Sequence, residues 1–217
     1  LCNIRIVLDT ANGAAYKVLP QVLWELGAEV ICMGNSPSGL NINKECGAID
    51  TKKLQERVVQ EQASIGIAVD GDADRLVVVD EKGETIDGDY IIAAIATDWK
   101  AQNKLKNNTV VVTQMSNSAL AKYFKSIGIK MYCAQIGDKN VVAKMLEVKT
   151  NLGGEKNGHI ILLDYATSGD GSISALQILS YIVKHKIQPS EIRKLFMPLP
   201  QVVINIAGDQ DVENAVI

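Results

Sequence analysis

The residues with the clearest chemical potential are Asp70-Gly71-Asp72-Ala73-Asp74-Arg75. Three carboxylates at alternate positions can converge on one hard cation when a glycine lets the backbone turn tightly. So close together they repel one another, and a cation relieves that repulsion. A calcium loop of the EF-hand type fits acids at positions 1, 3 and 5, and Glu81 falls at position 12, but Arg75 stands at position 6 where that loop needs glycine. The flanks Ile65 to Val69 and Leu76 to Val79 also read as strands, whereas an EF-hand needs helices. A magnesium site is the better match, since Mg²⁺ combines a few carboxylates with phosphate oxygens. The adjacent Arg75 suits it, because guanidinium binds phosphate oxygens bidentately. A polar hairpin turn with exposed acids is the alternative that needs no ligand.

A second constellation is Gly154-Glu155-Lys156-Asn157-Gly158-His159. A carboxylate, an ammonium, an amide and an imidazole suit hydrogen bonding to several hydroxyls better than holding a metal. His159 is one of two histidines. His185, near a helix end, reads as a cation compensating the helix dipole. A third constellation, Gly137-Asp138-Lys139-Asn140, precedes a helix whose free N–H groups can attract an anion; an aspartate cap with an exposed lysine is the simpler alternative. From Asp70 to Asp89 there are eight acids and two bases, and from Lys100 to Lys156 ten lysines and three acids. An acidic, metal-holding side facing a cationic side suits a phosphorylated ligand, although most of these lysines can equally be solvated surface.

The elements that must position these groups alternate. Strands are expected at Ile4–Asp9, Ala28–Met33, Ile65–Val69, Leu76–Val79, Thr109–Thr113, Ile129–Cys133, Asn151–Gly154 and Ile160–Asp164. Helices are expected at about 14–26, 51–62, 87–98, 117–127, 138–148 and 171–184. The second half repeats the order of the first. Val77-Val78-Val79-Asp80 and Ile161-Leu162-Leu163-Asp164 each follow a polar loop after a strand, 84 residues apart, and Gly27 and Gly128 each close a helix, 101 residues apart. The aspartate loop and the Glu155–His159 loop hold the same place in the two copies. The repeat therefore predicts two similar α/β/α domains, over 1–104 and 105–198, with 199–217 starting a further, truncated domain.

The 217 residues are 47% hydrophobic, 22% charged and 5% aromatic, with a net charge of −3. That composition suits a globular protein with an aliphatic core and argues against nucleic-acid binding. No apolar run approaches the ~18 residues of a membrane span. The four cysteines are widely spaced, which suits buried thiols in a reducing compartment and excludes a zinc ribbon. The chain starts on Leu1 within a strand-like region, and a truncated chain is the expectation from that.

Taken together, these motifs resemble the α-D-phosphohexomutases. Asp70-Gly71-Asp72-Ala73-Asp74-Arg75 is similar to that family's magnesium loop, and Gly154-Glu155-Lys156-Asn157-Gly158-His159 to the sugar-recognition loop of its third domain. Asp9-Thr10-Ala11-Asn12-Gly13-Ala14, Gly39-Leu40-Asn41-Ile42-Asn43 with Cys46-Gly47-Ala48, and Thr167-Ser168-Gly169-Asp170-Gly171 resemble its phosphoglucosamine mutase branch. The resemblance implies domains 2 and 3 of a four-domain cytoplasmic enzyme, each a three-layer α/β/α unit with a mixed four-stranded sheet. It also implies a phosphoserine that donates its phosphoryl group to a hexosamine phosphate, through a bisphosphate intermediate, in a pathway feeding bacterial cell-wall precursors. By the same resemblance Asp70, Asp72 and Asp74 hold one Mg²⁺, and Arg75 contacts the phosphoryl group. His159 sits near the reacting phosphate, Glu155 and Asn157 bind sugar hydroxyls, and Gly137, Asp138 and Lys139 line the substrate side. A sugar bisphosphate is the implied activator.

Asn157 stands where the family usually has serine, and Lys139 where it usually has arginine, which removes a bidentate phosphate contact. No serine lies in the family's Ser-His-Asn setting, and the Arg-x-Ser-Gly-Thr phosphate loop is absent from these residues. The partners implied are therefore domains 1 and 4 of the same protein, and this chain alone is expected to be inactive. A phosphoglucomutase or phosphomannomutase, and a non-catalytic sugar-phosphate or metal-binding module, are the alternative readings.

Overall fold

The computed structural model describes residues 1–202. Two sheets form, and their topology is the same apart from one short strand. The first is built from β1 (Arg5–Asp9), β2 (Glu29–Met33), β3 (Ile65–Val69), β4 (Leu76–Val79) and β5 (Thr85–Ile86), in the order β2-β1-β3-β4-β5. The second is built from β6 (Thr109–Thr113), β7 (Lys130–Ala134), β8 (Leu152–Gly154) and β9 (Ile160–Leu162), in the order β7-β6-β8-β9. In each, a central strand pairs in parallel with two neighbours and the last main pair is an antiparallel hairpin. The repeat expected from the sequence is thus a repeat of topology.

The first sheet has five strands where four were expected. The Asp80 carboxylate accepts hydrogen bonds from the Lys82 and Glu84 amides, and Gly83 takes a left-handed φ of +84°, so the chain turns back onto β4. In the second sheet a single bridge, Ile161 to Gly169, stands in place of that hairpin.

Helices α1 (Val18–Glu25), α2 (Lys52–Gln60), α3 (Gly88–Ala101), α4 (Ser118–Ser126), α5 (Asp138–Val148) and α6 (Gly171–His185) cover the sheets. The first is shorter than expected, with a separate 3₁₀ turn at Ala14–Tyr16. The central strands carry apolar residues on both faces, as buried parallel strands must; Ile6, Val7 and Leu8 are all fully buried. On one side, Leu54 and Val58 of α2 pack under the first sheet and Val141 and Met145 of α5 under the second. Gly66 and Gly153 hold corresponding positions. A side-chain carbon on either would come 2.6 Å from Val58 Cγ2 or Met145 Sδ, so glycine lets each helix approach its strand.

On the other side the two halves share one large core. The apolar run of α3, from Ile91 to Ala96, is buried on every face. It packs against β8, α4 and α6, whereas α6 packs against β3 and β4 as well as β9. α3 therefore covers the second sheet, and α6 bridges the two sheets. Asp98 of α3 locks the pair by accepting from Lys184 Nζ at 2.6 Å and lying 3.1 Å from His185 Nε2. Burial alone would raise the Asp98 carboxyl, but these hydrogen bonds outweigh it and hold it below its ordinary value. His185 lies in the last turn of α6, the helix end expected of it, and meets Asp98 from there.

All four cysteines are unpaired, but only Cys46 is buried; Cys2 and Cys133 are exposed, the latter because β7 is an edge strand. No helix of the described residues is long and apolar enough to cross a membrane. The start of a further domain expected at 199–217 lies almost entirely outside the described residues.

Candidate functional site

The aspartate loop connects β3 to β4, and the Glu155–His159 loop connects β8 to β9. These are equivalent hairpins of the two sheets, and they meet. The Leu76 amide donates to the Gly158 carbonyl at 3.0 Å, the Gly88 amide to the Lys156 carbonyl at 3.0 Å, and Arg75 and His159 form an antiparallel bridge. Gly158 has φ +95°, and any side chain there would collide with the Leu76 backbone. The Gly171 amide at the start of α6 donates to the Ala73 carbonyl, tying a third element to the aspartate loop.

Within the aspartate loop, carboxylate oxygens of Asp70, Asp72 and Asp74 lie within 4.8 Å of one another. Asp70 is buried, Asp74 half-buried and Asp72 exposed. Arg75 engages Asp70 twice, through its amide at 3.1 Å and its Nε at 2.9 Å, and its Nε is 3.6 Å from Asp74. Asp74 Oδ1 is buried with no hydrogen-bond partner among the described residues. A donor set made only of carboxylate oxygens, one of them buried and unsatisfied, fits Mg²⁺.

From Asp74 a chain of contacts runs into the second loop. His159 Nδ1 is 3.1 Å from Asp74 Oδ2. The His159 amide donates to Asn157 Oδ1, and Asn157 Nδ2 to Glu155 Oε2, each at 3.0 Å. Glu155 Oε1 accepts from the Gly137 amide at 3.0 Å, reaching the start of α5. His159 Nε2 is buried without a partner among the described residues, and Gly169 packs close enough on the ring that a side-chain carbon there would lie 2.5 Å from Cε1. The carboxylate contact assigns the ring proton to Nδ1. The structure thus joins Asp70, Asp74, Arg75, His159, Asn157, Glu155 and Gly137. Asp138 and Lys139 stay outside the chain: both are exposed on the first turn of α5, and among the described residues the Asp138 carboxylate accepts only the Lys139 amide.

Beside the second loop lies a cleft of about 380 Å³, lined by Glu155, Lys156, Asn157, Asp87 and Thr113 among others. The last two carry no motif, which is why the sequence did not single them out. Asp87 caps α3, accepting from the Asp89 and Tyr90 amides. Burial, and then repulsion from Asp89, push its carboxyl above the ordinary value. Asp9, quoted above only within a motif, has a supporting role that the sequence did not reveal. Fully buried at the end of β1, it accepts from the Gly47 and Ala11 amides and so fixes the loop behind the aspartates.

Comparison with known proteins agrees with this architecture. Residues 2–83 match the phosphoglucomutase/phosphomannomutase alpha/beta/alpha domain II, and residues 87–199 match domain III. The two matches meet just before α3, the helix that packs on the second sheet. A phosphoglucosamine mutase from Zymomonas mobilis is 50% identical over 206 residues, covering 95% of this chain and 46% of that protein. The chain thus spans about half the length of the curated relatives it matches. A phosphoglucomutase/phosphomannomutase family protein from Burkholderia thailandensis has the same fold, with a TM-score of 0.78, 24% identity, and coverage of 92% of this chain and 43% of that one. An Aspergillus fumigatus N-acetylphosphoglucosamine mutase, solved with GlcNAc-6P and magnesium, has a TM-score of 0.73 at 20% identity, covering 92% of this chain and 47% of that one. With both domain families matched in order over the repeated fold, the chain belongs to the phosphoglucomutase/phosphomannomutase family as its domains II and III.

Proposed function

We propose that this chain forms the metal- and sugar-binding part of a phosphoglucosamine mutase, which interconverts glucosamine 6-phosphate and glucosamine 1-phosphate. The reaction runs through a phosphoserine and a bisphosphate intermediate. The serine loop and the terminal phosphate loop come from domains 1 and 4, outside these residues, and a sugar bisphosphate serves as activator. The substrate assignment rests on the 50% identity to a mutase of that name. The observation that carries the reading is the joining of the two hairpin loops, which puts His159 of the sugar loop 3.1 Å from Asp74 of the aspartate loop.

Asp70, Asp72 and Asp74 would hold Mg²⁺, which when bound neutralises charge on the phosphoryl oxygens. Arg75 directs Nε at the carboxylates, and its Nη atoms donate to none of the described residues; that pair faces the transferring phosphoryl group. His159, oriented by Asp74, places its unpartnered Nε2 beside the reacting oxygen. Glu155 and Asn157 orient each other, so their remaining lone pairs and N–H are preset for sugar hydroxyls, and ordering them before substrate arrives lowers the entropic cost of binding. Gly137, Asp138 and Lys139 flank the substrate, with Lys139 acting as a point charge.

The test is an isomerase assay on a full-length protein carrying this chain, with Mg²⁺ and a sugar bisphosphate. Glucosamine 6-phosphate should be converted with a higher kcat/KM than glucose 6-phosphate or mannose 6-phosphate. Preference for either neutral sugar, or an Asp70→Asn variant as active as the parent, overturns the reading.

A further inference from the structure

The cleft beside the sugar loop contains polar groups that the contact chain from Asp70 to Gly137 does not use. Thr113 is the last residue of β6, at the carboxyl end of a strand flanked by two parallel neighbours, where open α/β sheets commonly receive ligands. Its side chain lines the cleft, is 1% exposed, and its Oγ1 has no hydrogen-bond partner among the described residues. A buried hydroxyl without a partner costs free energy unless something completes it. Asp87 lines the same cleft. Its cap bonds to Asp89 and Tyr90 both use Oδ1, and Oδ2 accepts from none of the described residues.

The balance of charge in the cleft favours a cation. Its titratable lining groups are Asp87, Glu155 and Lys156. The Lys156 ammonium donates its hydrogen bond to Gln201 Oε1, at 3.0 Å, and still attracts the Asp87 carboxylate, so the three groups leave one net negative charge. Asp89, next to Asp87, is 1% exposed and accepts from the Asn117 amide through Oδ2. The cleft therefore presents a half-buried carboxylate with a second, buried acid next to it. Its volume, about 380 Å³, is within the range of small-ligand sites.

We propose that this cleft receives the ammonium group of an amino sugar, with the Asp87 carboxylate as its counter-ion and Thr113 Oγ1 accepting one of its protons. Asp87 and Thr113 then determine the choice of a hexosamine phosphate over a neutral hexose phosphate. A hydroxyl at the same carbon would meet the carboxylate with one donor and no charge. The inference deepens the proposed function and rests on it.

The experiment measures dissociation constants for glucosamine 6-phosphate and glucose 6-phosphate by calorimetry, on a full-length protein carrying this chain and on its Asp87→Asn and Thr113→Val variants. Asparagine still caps α3, and valine keeps the threonine shape. The parent should bind the amino sugar more tightly. Asp87→Asn should lower that ratio about tenfold to a hundredfold, the scale of a hydrogen bond to a charged group, and Thr113→Val should lower it less. A parent that prefers the amino sugar while both variants keep its ratio overturns this inference alone. Equal losses for both sugars also overturn it, because they mark a structural role. If Asp87→Asn fails to fold, the ratio in Thr113→Val decides. A parent with no preference for the amino sugar overturns the proposed function and this inference with it.

Discussion

His159 Nδ1 and Asp74 Oδ2 lie 3.1 Å apart, although one belongs to the second sheet's hairpin and the other to the first's. This contact couples the aspartate loop to the sugar loop. It also fixes the imidazole, whose far face rests on Gly169. A histidine positioned by a carboxylate has a defined tautomer, which a free side chain lacks.

His159→Gln and Asp74→Asn should each lower turnover of a full-length protein carrying this chain, by about 10²-fold or more, the scale for removing one preorganised electrostatic group. Their combination should cost less than the product of the two. A double-mutant cycle in kcat/KM measures this, and strict additivity would show that the contact carries no function.

The 217-residue chain should bind Mg²⁺ without turning over substrate. Saturating Mg²⁺ should raise its melting temperature by several degrees, since a ligand at 100 times its Kd stabilises by about 2.7 kcal/mol. The shift should vanish in Asp72→Asn, whose exposed side chain contributes little to folding otherwise. Measurable isomerase activity from the isolated chain would contradict the division of labour proposed above.

Asp98 makes stability depend on pH in one direction. Its folded-state pKa is depressed, so its contribution is present above the unfolded value and is lost as pH falls through the folded one. Asp98→Asn should therefore be clearly less stable than the parent at pH 7. The gap should close as pH drops below about 3.9, the ordinary aspartate value. Urea denaturation at both pH values checks this, and a gap that persists in acid would assign Asp98 a role that does not need its charge.

Gly66→Ala should destabilise the first half by about 1–3 kcal/mol, the usual cost of overpacking. The added methyl would lie 2.6 Å from Val58 Cγ2 and 3.0 Å from Val79 Cβ, and neither β-branched side chain can easily turn away. Thermal unfolding of the variant reads the loss directly.

The amino-acid order by itself determined the local elements, the duplicated topology and the two chemical loops. Alternating apolar runs, glycines after helices and clustered acids are short-range signals, and strands such as Ile65–Val69 and helices such as 138–148 follow from them directly. Other features needed residues distant in sequence to meet. The fifth strand depends on one carboxylate, Asp80, holding two amides of its own turn. Which sheets α3 and α6 cover depends on which buried faces fit together, and apolar periodicity gives a helix a buried face without naming its partner. The same holds for the site. Asp70, Asp72 and Asp74 are legible as neighbours because they are close in sequence, but their link through His159, Asn157 and Glu155 to Gly137 exists only once two hairpins are docked. Asp87 and Thr113 look like an ordinary helix cap and strand end, and only the packed cleft reveals what their side chains face.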